Sequence, residues 1–187
     1  MPLNYIVYVL AGLCAMLMVL ERMGLAVTPS LTFKGDLKRE TRFLAQYGQL
    51  GCTLVASILI WQLDGLRGQR VCKALWLSVA AATLTATILK RCLGRVRPRR
   101  EHAGQFLGPT LKHDNYRESF PSSHSASAFA FSGILAMAYP PAAMSFWILA
   151  LICAGLRYFM DAHWPSDVFG GIALGILSAT ISWRVFF

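Results

Sequence analysis

From residue 119 to residue 156 the chain contains no Asp, Glu, Lys or Arg. One membrane crossing takes about 20 apolar residues, so this run is long enough for two, with Pro140 and Pro141 breaking it near its middle. Four more windows, residues 3–20, 43–63, 74–89 and 168–183, are equally free of these charges. A segment in lipid must satisfy its own backbone polar groups, which a helix does. The pattern therefore predicts an all-α, integral membrane six-transmembrane-helix bundle. Its spans are expected at 3–20, 43–63, 72–89, 122–139, 143–160 and 167–186.

Composition agrees. The 187 residues are 56% hydrophobic and 14% charged, with a mean hydropathy of +0.50, outside the usual range of a soluble domain. Lys73 and Arg184 are expected to snorkel at the ends of the shorter spans. Trp61, Trp76, Trp147 and Trp183 fall near span ends on the side that carries both termini, as interfacial indoles do. The first apolar run follows no positively charged segment and is long enough to span, so it reads as a helix rather than a cleaved signal. Cys14, Cys52, Cys72, Cys92 and Cys153 are scattered without metal or disulfide spacing and read as small buried hydrophobes.

No repeat, low-complexity tract or linker divides the chain, so residues 1–187 form one membrane-embedded domain. The connection over residues 21–42 mixes basic residues with Leu31, Phe33 and Leu37. Two readings stand: an amphipathic interfacial helix or a solvated loop. The third connection carries Lys90, Arg91, Arg95, Arg97, Arg99, Arg100, Lys112 and Arg117. A nucleic-acid surface is disfavoured because no soluble domain presents a groove.

With six spans, the connections after the third and fifth helices emerge on the same side. Lys90 and Arg97 would share a helical face only if the third helix continued, and Pro98 opposes helical geometry at Arg97. His124 opens the fourth helix after Pro121, Ser122 and Ser123, where unpaired N–H groups favour an anion. Arg157 closes the fifth helix, His163 follows, and Asp167 lies in the first turn of the sixth. Singly, each has a bland reading: an interfacial hydrogen-bonded histidine, a snorkelling arginine, a helix-start acid. Together they suit phosphoryl transfer. Cationic donors hold the non-bridging oxygens. An imidazole whose other nitrogen is held by a carboxylate can attack phosphorus, and a second can protonate the leaving oxygen. His163 with Asp167 fits the first role and His124 the second.

At these residues the sequence resembles the type 2 phosphatidic acid phosphatase superfamily. That family carries K-x6-R-P, then P-S-G-H, then S-R-x5-H-x3-D. Here "KRCLGRVRP" supplies Lys90, Arg97 and Pro98, "PSSH" supplies Pro121, Ser122 and His124, and "LRYFMDAHWPSD" supplies Arg157, His163 and Asp167. The resemblance implies that His163 becomes a phosphohistidine, Asp167 orients it and His124 is the acid. It implies that Lys90, Arg97, Arg157 and Ser122 bind phosphate. Ser123 stands where the family has glycine and still offers its backbone N–H to the phosphate site; Leu156 replaces the serine before the arginine. Asp161 and His113 have no place in the motifs and read as rim or structural residues.

No cofactor is implied, and no close carboxylate pair resembles a magnesium clamp. The expected function is metal-independent hydrolysis of a membrane lipid phosphate or pyrophosphate: phosphatidic acid, phosphatidylglycerol phosphate, undecaprenyl pyrophosphate or a lipid A phosphate. Rival readings are a lipid phosphotransferase using the same histidine and a non-catalytic lipid carrier. A soluble haloperoxidase, which shares the family's anion site, does not suit so apolar a chain. The side carrying the motifs holds 14 of the 18 Lys and Arg. Charge bias alone would place it in the cytoplasm; the resemblance implies a site facing outward from the cell (inner) membrane.

Overall fold

The computed structural model describes residues 3–24, 35–110, 112, 114–160 and 163–187. The described helices are α1 (Leu3–Arg22), α2 (Gly35–Leu44), α3 (Leu50–Leu93), α4 (Ser123–Ala138), α5 (Ala143–Phe159) and α6 (Pro165–Phe186). No strand occurs among the described residues; one isolated antiparallel bridge joins Arg95 to Phe106.

The long α3 is two helices. Gly65, at φ 52° and ψ −131°, leaves helical geometry inside it, a backbone state that glycine enters without steric cost. The chain reverses there. Cys72 Sγ donates to the Ser57 carbonyl at 3.4 Å across 15 residues, whereas a straight helix would separate them by about 22 Å at 1.5 Å per residue. The arms, residues 50–64 and 66–93, thus correspond to the expected second and third spans. The second starts later than the charge pattern suggests. Helix α2 occupies residues 35–44, and Gly48, at φ 76°, turns the chain before Leu50. Of the two readings for the first connection, the helical one describes its later part.

Among the described residues, four helical stretches are long and apolar enough to cross a membrane: Tyr5–Arg22, Leu50–Leu93, Pro140–Phe159 and Pro165–Phe186. Because Leu50–Leu93 reverses, it supplies two arms. Helix α4, with 16 residues, lies in the middle of the bundle, and 13 of its residues are buried. It packs on α3, α5 and α6. Its approach to α6 is set by missing side chains: a Cβ at Gly171 would lie 2.5 Å from the Ser122 carbonyl oxygen, and one at Gly175 2.4 Å from that of Ala126. Small residues permit this close contact where lipid supplies no hydrophobic drive between helices.

Polar side chains join the helices inside the apolar core. Ser78 Oγ donates to the Ala130 carbonyl at 3.2 Å, Ser132 Oγ donates to that of Phe146 at 2.8 Å, and Tyr47 Oη meets Ser132 Oγ at 2.9 Å. At the Gly65 end, Arg67 Nη2 donates to the last carbonyl of α4, Ala138, at 2.6 Å, and Tyr139 Oη donates to Asp64 at 3.0 Å. Outward faces expose Leu54, Leu63, Leu84, Ile88, Ile148, Ile181 and Val185. This apolar perimeter is that of an integral membrane protein.

Candidate active site

The site lies at the end opposite Gly65. Helix α3 stops at Gly94, whose φ of 61° and N–H bond to the Lys90 carbonyl form a left-handed cap. Arg97 is outside the helix, as the sequence suggests, but the chain leaves the helix at the Gly94 cap, ahead of Pro98. The following connection folds across the bundle end: Val96 N–H donates to Gln105 O at 2.9 Å, Arg97 N–H to Tyr116 O at 2.9 Å and Ser119 N–H to Arg95 O at 3.0 Å. This lays the basic segment over the starts of α4 and α6.

His163 is 1% exposed. Its Nδ1 lies 2.8 Å from the Ser119 carbonyl oxygen and 3.6 Å from Asp167 Oδ2. The nearer acceptor fixes the proton on Nδ1 and leaves a lone pair on Nε2. A backbone carbonyl is thus the ring's nearest partner, and the Asp167 carboxylate faces the same nitrogen from slightly further away. The reason is that Asp167 is already committed. Its Oδ2 accepts from the Trp164 N–H at 2.8 Å and from Ser119 Oγ, while Oδ1 accepts from Arg95 Nη1 at 2.5 Å. The Trp164 contact is the carboxylate half of a capping box at the start of α6. Burial, the largest cause, holds the His163 imidazole well below its usual near-neutral pKa; Asp167 opposes the shift, and the Lys90 and Arg157 charges add to it.

The other expected residues converge on the same place. His124, in the first turn of α4, lies within electrostatic reach of Arg157, Lys90 and Arg97 and of the His163 ring. Lys90 is 8% exposed at the last turn of α3. Arg97 is steadied by Nε donation to the Asn115 carbonyl at 2.7 Å. Arg157 sits in the last turn of α5, and its buried Nε lacks a hydrogen-bond partner among the described residues. Ser122 is the N-cap of α4 and fully buried: its Oγ accepts from Ser125 N–H, and its own N–H donates to the Asp167 carbonyl at 2.9 Å. That last bond ties the starts of α4 and α6 together. Ser123, half-buried, begins α4, where the first N–H groups have no intrahelical acceptor. Asp161 and His113 lie outside the described residues.

The arrangement is a cluster of cationic side chains around a buried imidazole at one end of the helical bundle. A family model described as "PAP2 superfamily" matches residues 72–187. The chain belongs to the PAP2 superfamily.

Individual PAP2 relatives agree. The chain is 36% identical over 114 residues to a lipid A 1-phosphatase of Rhizobium johnstonii, covering 60% of this chain and 46% of that protein. It is 28% identical over 132 residues to the putative undecaprenyl-diphosphatase YbjG of Escherichia coli, covering 68% and 65%. The match thus spans about half the length of the first relative and under two thirds of the second. Among solved structures, Aquifex aeolicus LpxE superposes with a TM-score of 0.65 at 21% identity, over 82% of this chain and 88% of that one. A transmembrane PAP2-type phosphatidylglycerolphosphate phosphatase from Bacillus subtilis gives a TM-score of 0.62 at 18% identity, over 98% and 93%. These likenesses support the fold.

Three participants were not among the expected site residues of this PAP2 chain: Ser119, Arg95 and Glu21. Ser119 carries no signal beyond lying two residues before Pro121. Arg95 was hidden in a dense basic run, and Glu21 reads as an ordinary charge at the end of a span.

Proposed function

We propose that this chain is a metal-independent membrane phosphatase that hydrolyses the phosphate monoester or pyrophosphate of a lipid through a phosphohistidine. The observation that carries the reading is the buried His163, with Nδ1 occupied by the Ser119 carbonyl and with Lys90 and Arg157 in electrostatic reach. In the first step Nε2 attacks phosphorus, the bond from phosphorus to the leaving oxygen breaks, and His124 gives that oxygen its proton. The bound phosphate brings the negative charge that favours a protonated His124. In the second step neutral His124 takes a proton from water, whose oxygen attacks phosphorus. The N–P bond breaks, and inorganic phosphate leaves. Lys90, Arg97, Arg157, Ser122 and the Ser123 N–H hold the non-bridging oxygens, with charge that strengthens toward the transition state. The Arg157 Nε, buried and without an acceptor among the described residues, supports this, since such a donor is costly.

An apolar groove of about 370 Å³ between α1, α5 and α6 is lined by residues including Leu17, Ala154, Gly155, Tyr158, Pro165 and Val168. Ala154, Gly155 and Tyr158 flank Arg157 in the chain and Pro165 and Val168 flank Asp167, so a hydrocarbon tail seated there leaves its phosphate at the site. The substrate is accordingly a lipid phosphate of the class that includes phosphatidic acid, phosphatidylglycerol phosphate, undecaprenyl pyrophosphate and lipid A phosphate. The relatives' names fall in the same class. We place the protein in the cell membrane with the site facing outward.

The test is phosphate release from these lipids by the detergent-purified protein, with and without EDTA. Release should persist in EDTA and be lost in His163→Ala and Asp167→Asn. Full activity of His163→Ala excludes the nucleophile, and loss in EDTA excludes metal independence. Phosphate appearing only on a second lipid would identify a phosphotransferase, and lipid movement without any release a carrier.

A further inference from the structure

Arg95 alone among the described arginines is fully buried, at 2% exposed. Its fork spans two carboxylates that are distant in sequence. Nη1 donates to Asp167 Oδ1 at 2.5 Å and to Ser166 Oγ at 2.6 Å; Nη2 donates to Glu21 Oε2 at 2.6 Å. The Phe106 and Trp164 rings each lie 5.4 Å from the guanidinium carbon. Glu21, whose side chain is 2% exposed, accepts in addition from Ser166 N–H at 3.0 Å and Ser166 Oγ at 2.6 Å. The end of α1 is therefore clipped to the first turn of α6 one residue from Asp167.

Simple stabilisation is a poor reason to bury three charges. Desolvation offsets most of the attraction in such clusters, and apolar residues of similar size often do as well. Directional control is a better reason. A planar fork can hold two carboxylates at set angles, which an ammonium cannot. With Arg95 on Oδ1 and Ser119 and Trp164 on Oδ2, the Asp167 carboxylate has no freedom to rotate away from His163. Without Arg95, Glu21 and Asp167 would be two uncompensated anions in one buried place.

We propose that Arg95, anchored by Glu21, is a positioning residue that holds the Asp167 carboxylate as an oriented anion behind the His163 ring. Arg95 acts through Asp167 and need not touch substrate. Glu21 lies outside the segment matched by the family model, residues 72–187, so the anchor recruits the first helix to the reaction centre. The inference rests on the phosphatase reading given above.

The experiment uses the full chain in detergent micelles, with phosphatidic acid and undecaprenyl pyrophosphate as probes, and compares Arg95→Gln, Arg95→Lys, Glu21→Gln and the double variant Glu21→Gln/Arg95→Gln. Arg95→Gln should lower kcat by about 100-fold, the scale of a small misplacement of a reacting group, with KM changed less than threefold. Arg95→Lys keeps the charge and loses the fork; it should remain folded by melting and size exclusion and still lose about tenfold in kcat. The double variant removes the second anion and should recover about tenfold of the activity lost in Arg95→Gln, a coupling within the range of contacting charged residues. A merely structural role predicts additive losses and no recovery. Unchanged kcat in both Arg95 variants, losses confined to KM, or strict additivity overturns the inference while leaving the phosphatase reading intact. Wild-type protein that releases no phosphate from either probe overturns both.

Discussion

At the residue scale, the decisive feature is the tautomer of one imidazole. An acceptor at 2.8 Å from Nδ1 leaves the Nε2 lone pair for the proposed attack, and burial favours the neutral ring. The sign of the pH effect follows. A lowered pKa leaves the attacking form fully populated as pH falls past about 6.5, the ordinary value for histidine. Profiles of kcat/KM from pH 5 to 8 should therefore show no acid limb assignable to His163 near neutrality. An acid limb at or above that ordinary value, seen alike with a phosphate monoester and a pyrophosphate probe, would contradict the proposed environment. The sequence made His163 and Asp167 legible as a pair because histidine and aspartate at a span boundary are rare and costly. It did not reveal the carbonyl of Ser119, since any residue offers a carbonyl and only the fold says where it points.

At the element scale, the proposed chemistry depends on how closely α4 and α6 approach, because their first turns carry His124 and Asp167. Gly175→Ala would place a methyl 2.4 Å from the Ala126 carbonyl oxygen, and the two helices must separate. Such overpacking costs about 1–3 kcal/mol, so the melting temperature in detergent and kcat should fall together. An unaltered melting curve would show that the contact is not constraining. The groove beside α5 gives a contrasting case. Among the described residues a Cβ at Gly155 meets the Phe159 ring alone, at 3.7 Å, so Gly155→Trp can fold and fill the space. It should raise KM for a long-chain lipid phosphate by about tenfold, the loss expected from denying a few methylenes their burial, and barely change KM for a short-chain soluble one. Equal effects on both would place the tail elsewhere. Apolar windows announced the spans, but the separate α2 and the turn at Gly48 moved the start of the second to Leu50, since glycine at positive φ redirects a chain without altering its hydropathy.

For the whole molecule, the question is which side of the membrane the site faces. Positive charge is concentrated on the site side, yet much of it belongs to the proposed phosphate pocket, so charge bias and function compete in the same residues. Cys92 offers a native probe. It is exposed near the site end of α3, whereas Cys14, Cys72 and Cys153 are buried and Cys52 is half-buried. In a variant retaining only Cys92, an impermeant thiol reagent should label intact cells. Labelling only after lysis would put the site in the cytoplasm.

The sequence by itself determined the class: uncharged runs of spanning length, and Lys90, Arg97, His124, Arg157, His163 and Asp167 in an order that resembles one family. These features are local, set by the cost of charge in lipid and by the chemistry of each side chain. Only the tertiary structure joined Glu21 to Ser166 across 145 residues and Arg95 to Asp167 across 72. A charge at the end of a span looks the same whether it snorkels to water or turns inward, and what distinguishes the two is whether the packed helices bring it a partner.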